Sequence, residues 1–175
     1  MNVRDFQDDL KQADKRADEP FWEKVYKGFF PTFASMEKVP KSDPQQRLGI
    51  DRIITLRNGS MIKIEEKRRK EDYPTFVLEI WSNEEKALKG WTRRDLCCDY
   101  LAYAIIPSQT CYMLPWSALQ LACRQNWAQW LDDYPQRFRR QSEDRDSGDI
   151  WTSVAFPVPR GVVLQAMTEA MQVIW

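Results

Sequence analysis

The chain of 175 residues reads as an α/β protein of one domain, its core elements following in the order helix, three strands, helix, strand. Three observations predict this class. Asn58-Gly59 stands between the β-branched runs "RIITL" and "MIKI", the strongest short signal for a tight hairpin. Apolar residues recur at helical spacing in segments before and after those strands. Hydrophobic residues make up 43% of the sequence, which at this length is enough to build one core.

Taken in order, Val3, Phe6, Leu10 and Ala13 recur at helical spacing and predict an amphipathic outer helix over residues 1–18. Pro20 fits the first turn of a second helix, which Gly28 and Pro31 end, and Trp22, Val25, Tyr26 and Phe29 form its apolar stripe. Glu23 lies beside that stripe, where it either leans over the sheet edge toward Asp51 or is solvated. From Pro31 to Gly49 the chain is rich in Pro, Lys and Asp and reads as a loop leading into the Asp51 strand. Within it Gln46 is either a contact for DNA or a metal-bound water, or an exposed turn side chain.

"GIDRIITL" and "MIKIEEKRRK" are then paired strands, and "TFVLEIWS" is a third. Glu79, between Leu78 and Ile80, points to solvent or, should its strand pair with that of Glu65, joins a charged site. "NEEKALKG" reads as a short helix capped by Asn83 and ended by Gly90. "CDYLAYAII" and "TCYMLP" are a further pair of strands around Pro107-Ser108, and Ser117 caps a long helix, "ALQLACRQNWAQWLDDY". Residues 135–148 are highly charged without periodicity and read as a flexible loop. "SVAFPVP" is expected at a sheet edge because proline cannot donate to a ladder, and "GVVLQAMTEAMQVI" is a closing helix.

Composition removes whole classes of chemistry. The sequence contains no histidine, which excludes Ser-His-Asp and Cys-His hydrolysis, histidine-metal nucleases and ribonuclease-type acid/base pairs. Carboxylates, Lys, Arg, Tyr and Cys remain. Lys plus Arg number 26 and Asp plus Glu number 26, so no global basic field draws nucleic acid. Local basic clusters occur at 67–70, at Lys89 with Arg93 and Arg94, and at Arg137 with Arg139 and Arg140; solvated faces are the ordinary use of such clusters. The first includes Arg68 and Arg69 beside the candidate site, where phosphate contacts would serve. Cys97, Cys98, Cys111 and Cys123 show no zinc spacing and read as free core thiols. Of eight tryptophans most are expected in packing, and Trp91, near Arg93 and Arg94, is the candidate for stacking on a base. The polar N-terminus and the lack of any apolar run of membrane-spanning length predict a cytoplasmic protein with no membrane partner.

The chemistry concentrates on the hairpin. Side chains alternate across a strand, so Glu65 and Lys67 share a face about 7 Å apart, while Ile62, Ile64 and Glu66 face the other way. The hairpin brings Asp51 near Glu65. Two adjacent carboxylates repel unless a cation lies between them, and hard oxygen ligands suit Mg²⁺ or Mn²⁺. A lysine beside them orients water or stabilises developing phosphate charge, as metal-assisted phosphodiester hydrolysis requires.

Asp51, Glu65 and Lys67 resemble the signature of the PD-(D/E)XK nuclease superfamily, which includes restriction endonucleases, Holliday junction resolvases and recombination exonucleases. The resemblance covers a stretch from about Phe21 to Pro115, and Ile50 stands where the family's name has Pro. It implies a restriction endonuclease-like α-β-β-β-α-β core with a mixed central sheet flanked by helices, over 20–115, with 116–175 adding helices and an edge strand. It further implies that Asp51, Glu65 and the backbone carbonyl of Glu66 bind Mg²⁺ or Mn²⁺, that Lys67 assists the attacking water, and that Glu23 completes the acid set. The function implied is metal-dependent hydrolysis of DNA, with homodimers as in the restriction enzymes and resolvases. The alternative is a catalytically inactive module of the same fold, as found in phage or other mobile elements, that binds nucleic acid or a protein partner.

Overall fold

A computed structural model describes residues 4–5, 20–143 and 148–171. Its elements are β1 (Arg4–Asp5), α1 (Pro20–Phe29), β2 (Phe33–Lys38), α2 (Pro44–Arg47), β3 (Arg52–Leu56), β4 (Met61–Arg69), β5 (Thr75–Asn83), β6 (Leu88–Lys89), β7 (Tyr100–Ile105), β8 (Thr110–Pro115), α3 (Trp116–Asp133), β9 (Phe138–Glu143), β10 (Ile150–Pro159) and α4 (Arg160–Ala170). The protein is thus α/β with sheets of mixed strand direction. The helix expected from Val3 to Ala13 lies outside the described residues apart from Arg4–Asp5, which are extended. No helix among the described residues is long and apolar enough to cross a membrane.

The chain divides into two compact units, residues 13–72 with 95–117, and residues 1–12 with 73–94 and 118–175. The first is built on a sheet ordered β2-β3-β4-β7-β8, antiparallel except for the parallel pair β4–β7. Its hairpin turns where Asn58-Gly59 predicts. Gly59 has φ +83°, a left-handed conformation that glycine adopts without a Cβ clash, and Asn58 Oδ1 accepts from Ser60 N at 3.0 Å. Ile54 pairs with Ile62 and Arg52 with Ile64, which sets the register of β3 on β4. On one face of this sheet Trp22 and Tyr26 of α1 pack with Ile54, Ile64, Ala102 and Ala104. Pro20 opens α1 as the sequence predicts, and its apolar stripe supplies the buried pair Trp22 and Tyr26.

The second unit has a sheet ordered β1-β9-β10-β5-β6. Trp127 of α3 meets Phe156 of β10 edge-on with ring centroids 5.2 Å apart, and Val163, Ala166 and Met167 are the buried side of α4. The third predicted strand, β5, belongs to this sheet and not to that of Glu65, so Glu79 is not an added acid of the hairpin site. Its carboxylate accepts from the backbone N–H of Trp91 at 3.0 Å.

Several local readings are corrected. The supposed loop 31–49 contains β2 and α2; no residue of β2 is fully buried, and its sequence lacks the apolar alternation that marks a half-buried strand. Residues 84–87 form a turn into β6 rather than a helix; Asn83 Oδ1 caps that turn by accepting from Lys86 N at 2.8 Å, and Ala87 takes φ +50°. The charged segment 138–143 is strand β9, held by its pairing to β10 and not by its own pattern. Strand β10 is central, not an edge. It pairs with β9 over Ile150–Ala155 and with β5 over Val154–Pro159, so Pro157 and Pro159 fall where only one side of the strand is paired. The rule against proline in a doubly paired segment is kept residue by residue.

Candidate active site

Asp51 stands at the entrance to β3, where the chain passes from α2 through Gly49 and the buried Ile50. Gly49 has φ +75°, and a Cβ there would come within 2.8 Å of the Leu96 side chain, so this bend admits only glycine without rearrangement. The Asp51 main chain is then tied on both sides. Its N–H donates to Ile64 O at 2.8 Å, and its carbonyl accepts from Val39 N at 2.9 Å. Its carboxylate is fixed as well, because Oδ2 accepts from the Glu66 backbone N–H at 2.7 Å.

Glu65 and Lys67 project from β4 on the face that Asp51 approaches. Lys67 Nζ donates to Glu65 Oε1 in an ion pair, with Glu65 buried and the Lys67 side chain 27% exposed. Burial pushes the Glu65 carboxyl above its ordinary value; Lys67 pulls it back, and the adjacent Asp51 carboxylate adds to the push. Asp51, Glu65 and Lys67 therefore come together as three interacting groups. Cys98 adjoins them: burial, and after it the charge of Glu65, lifts its thiol to about 12, so this thiol is inert at neutral pH.

The other sequence candidates are placed differently. Glu23, on α1, forms an exposed i,i+4 pair with Lys27 at 2.7 Å and is not brought to Asp51 and Glu65. Gln46 donates through Nε2 to Val39 O at 2.9 Å, bracing the segment before Asp51. The Arg68 guanidinium stacks 4.4 Å from the centroid of the Phe21 ring. Arg69, on the face of Lys67 by strand alternation, donates from Nε to the Tyr103 hydroxyl at 2.7 Å. Trp91 is 5% exposed in the second unit, so its ring offers no open face for a base.

Beneath the acid pair lies a cluster that the sequence did not mark. Glu66 faces α1, and its Oε1 accepts from Arg52 Nε at 2.7 Å and from the Tyr26 hydroxyl at 2.6 Å. Burial raises the Glu66 carboxyl against the pull of Arg52 and the Tyr26 hydrogen bond. Burial, then the Glu66 charge, raises Tyr26 well above its ordinary value, so its hydroxyl remains a donor. The available signal was Arg52 itself, a charge on the inward face of an apolar strand.

Among the described residues no three His, Cys, Asp or Glu side chains converge as a metal cage. What Asp51 and Glu65 provide is an adjacent pair of carboxylates with strand carbonyls nearby. This hard-oxygen donor set fits Mg²⁺ or Mn²⁺, ions that keep several waters and share their coordination with substrate phosphates. The chain has no match among family models, curated proteins or solved structures.

Proposed function

We propose that this protein is a metal-dependent nuclease that hydrolyses DNA phosphodiester bonds, with Asp51, Glu65 and Lys67 as its working groups. The observation that carries the reading is the meeting of these three side chains on one face of the β3–β4 hairpin, with Asp51 oriented by the Glu66 amide. The order of the first unit adds support. A helix and three antiparallel strands precede a strand parallel to the third, as in the nucleases that the triplet resembles, with an excursion through the second sheet standing where their second core helix would be.

Hydrolysis forms a P–O bond from water, breaks the bond to the departing oxygen and places extra charge on the phosphoryl oxygens. A divalent cation, when bound, supplies Lewis-acid stabilisation of that charge and lowers the pKa of water. Asp51 would contribute a carboxylate already oriented by the Glu66 N–H, and the Glu66 carbonyl would add a main-chain oxygen from β4. Glu65 contributes a carboxylate that is costly to leave ionised and alone when buried, so it favours a cation over solvent. Lys67, paired with Glu65 and with its side chain partly open to solvent, would orient the attacking water. Arg69, held by Tyr103 two residues further along the same face, would meet a neighbouring phosphate of the strand.

The test is cleavage of linear, nicked, flapped and four-way DNA with Mg²⁺ or Mn²⁺. Asp51→Ala and Lys67→Ala are expected to abolish cleavage while circular dichroism shows a retained fold. Undiminished cleavage in both variants would sink the proposal. Absence of cleavage by the parent protein, together with DNA or protein binding that ignores Mn²⁺, would favour the non-catalytic alternative.

A further inference from the structure

We propose that Tyr26, Arg52 and the Glu66 side chain form a positioning cluster that sets the spacing at which Asp51 and Glu65 take a divalent cation. The inference rests on the metal-site reading above. Each member of the Arg52–Glu66 ion pair is the chain neighbour of a proposed ligand: Arg52 follows Asp51, and Glu66 follows Glu65. Because strand side chains alternate, the like-charged pair occupies one face of the hairpin and the oppositely charged pair the other; Arg52 lies opposite Ile64, so Arg52 and Glu66 face each other diagonally across the level of Asp51 and Glu65. When both are ionised, Asp51 and Glu65 repel each other across the hairpin. Arg52 and Glu66 draw it together.

Glu66 is the point where the two faces connect. Its backbone N–H orients Asp51 Oδ2, and its carboxylate is bound by both Arg52 and Tyr26. Restraint on the Glu66 side chain is therefore restraint on the peptide that aims Asp51. Tyr26 extends this restraint to α1, so the helix contributes to the site from beneath through Tyr26, and not through Glu23.

Stability alone does not account for such a cluster. It lies against Trp22, Ile54, Ile64, Ala102 and Ala104, where apolar side chains of similar volume would pack as well. Buried ion pairs replaced in full by apolar residues often leave stability unchanged or raised, because the desolvation cost disappears with them. Ligand geometry, by contrast, depends on groups behind the ligands, and their loss commonly lowers metal affinity about 10- to 100-fold.

That difference supplies the test. Mn²⁺ binding is measured by calorimetry on the parent chain, on Asp51→Ala, on Tyr26→Phe, and on the triple variant Tyr26→Phe/Arg52→Met/Glu66→Leu, which removes every polar group of the cluster together. Thermal melts without metal are recorded for each. The expected result is a triple variant whose Tm is equal to or above that of the parent and whose Kd for Mn²⁺ is about tenfold higher or more, with a smaller rise for Tyr26→Phe. A folded triple variant with the parent's Kd overturns the proposal, as does a Kd that moves only in proportion to a lowered Tm. Should the triple variant fail to fold, Tyr26→Phe decides alone: a raised Kd in a variant that remains folded at the titration temperature supports positioning, and an unchanged Kd overturns it. A parent chain without Asp51-dependent Mn²⁺ binding overturns the metal site itself and this inference with it, whereas parental binding that the cluster variants leave intact overturns positioning only.

Discussion

Removing Glu66 alone should cost this protein a large part of its stability. In the structure the Arg52 and Glu66 side chains are 3% and 8% exposed, and a single oxygen, Glu66 Oε1, serves both Arg52 Nε at 2.7 Å and the Tyr26 hydroxyl at 2.6 Å. Glu66→Ala leaves a guanidinium and a hydroxyl buried without that acceptor. Breaking one side of a buried pair costs about 3–5 kcal/mol, because the remaining charge keeps its desolvation penalty and loses its partner. With a urea m-value of about 2 kcal/mol/M, typical for a chain of this size, the unfolding midpoint should fall by about 1.5–2.5 M. Tyr26→Phe, which removes one donor and strands no charge, should cost about 1–2 kcal/mol. The assay is equilibrium urea unfolding followed by tryptophan fluorescence. A Glu66→Ala midpoint within about 0.5 M of the parent's, well below the shift that the buried pair implies, would refute the reasoning, as would a larger loss for Tyr26→Phe than for Glu66→Ala.

Three further outcomes follow from single sites. Burial raises the Glu65 carboxyl, so its contribution to stability is complete below the unfolded value of about pH 4 and is lost as pH rises through the folded value. Glu65→Gln should therefore gain Tm relative to the parent between pH 4 and 8, and a difference that is flat or shrinks in calorimetry contradicts this sign. At Gly90 a Cβ would lie 2.3 Å from the backbone oxygen of Glu79 and 2.6 Å from its carbonyl carbon, contacts that only a backbone shift relieves. Gly90→Ala should cost about 1–3 kcal/mol or more in urea unfolding, and an unchanged midpoint would show that the contact is not made. Cys97 is exposed, whereas burial lifts the thiols of Cys98, Cys111 and Cys123 to about 12. A disulfide-forming reagent at pH 8 should thus modify one thiol quickly in the native protein, and fast modification of a second would contradict the packing.

Elements whose own side chains encode them were legible in the sequence. Asn58-Gly59 fixes its hairpin through backbone preference, and the Trp22–Tyr26 stripe fixes the buried side of α1. Strands β2 and β9 were not legible because they are stabilised by neighbours; "FRRQSE" contains no alternation, and its strand exists because Ile150–Ala155 pairs with it. The assignment of "TFVLEIWS" to one sheet or the other was equally hidden, since both sheets offer it apolar partners, and local pattern does not choose between distant ones. Its partner is β10, more than 60 residues further along the chain. Proline in β10 does not mark an edge for a related reason: the preference applies to each hydrogen-bonded side of each residue, and β10 is paired on one side at Pro157 and Pro159 but on both sides at Val154 and Ala155.

At the candidate site the same distinction separates what was read from what was missed. The approach of Asp51 to Glu65 and Lys67 follows from one turn and a period of two, both local properties. The use of Glu66 does not, because its partners Arg52 and Tyr26 are 14 and 40 positions away in sequence. Yet alternation already required Glu66 to face inward once Glu65 and Lys67 faced the site, and a carboxylate turned into an apolar layer requires partners. Arg52, next to Asp51 and opposite in facing, was the one charge on β3 able to meet it. A pair of acids on one face of a two-stranded hairpin thus constrains the residues adjacent to it in sequence, because they are committed to the other face one step along each strand. In this chain those adjacent residues carry opposite charges, which counter the repulsion that the acid pair creates.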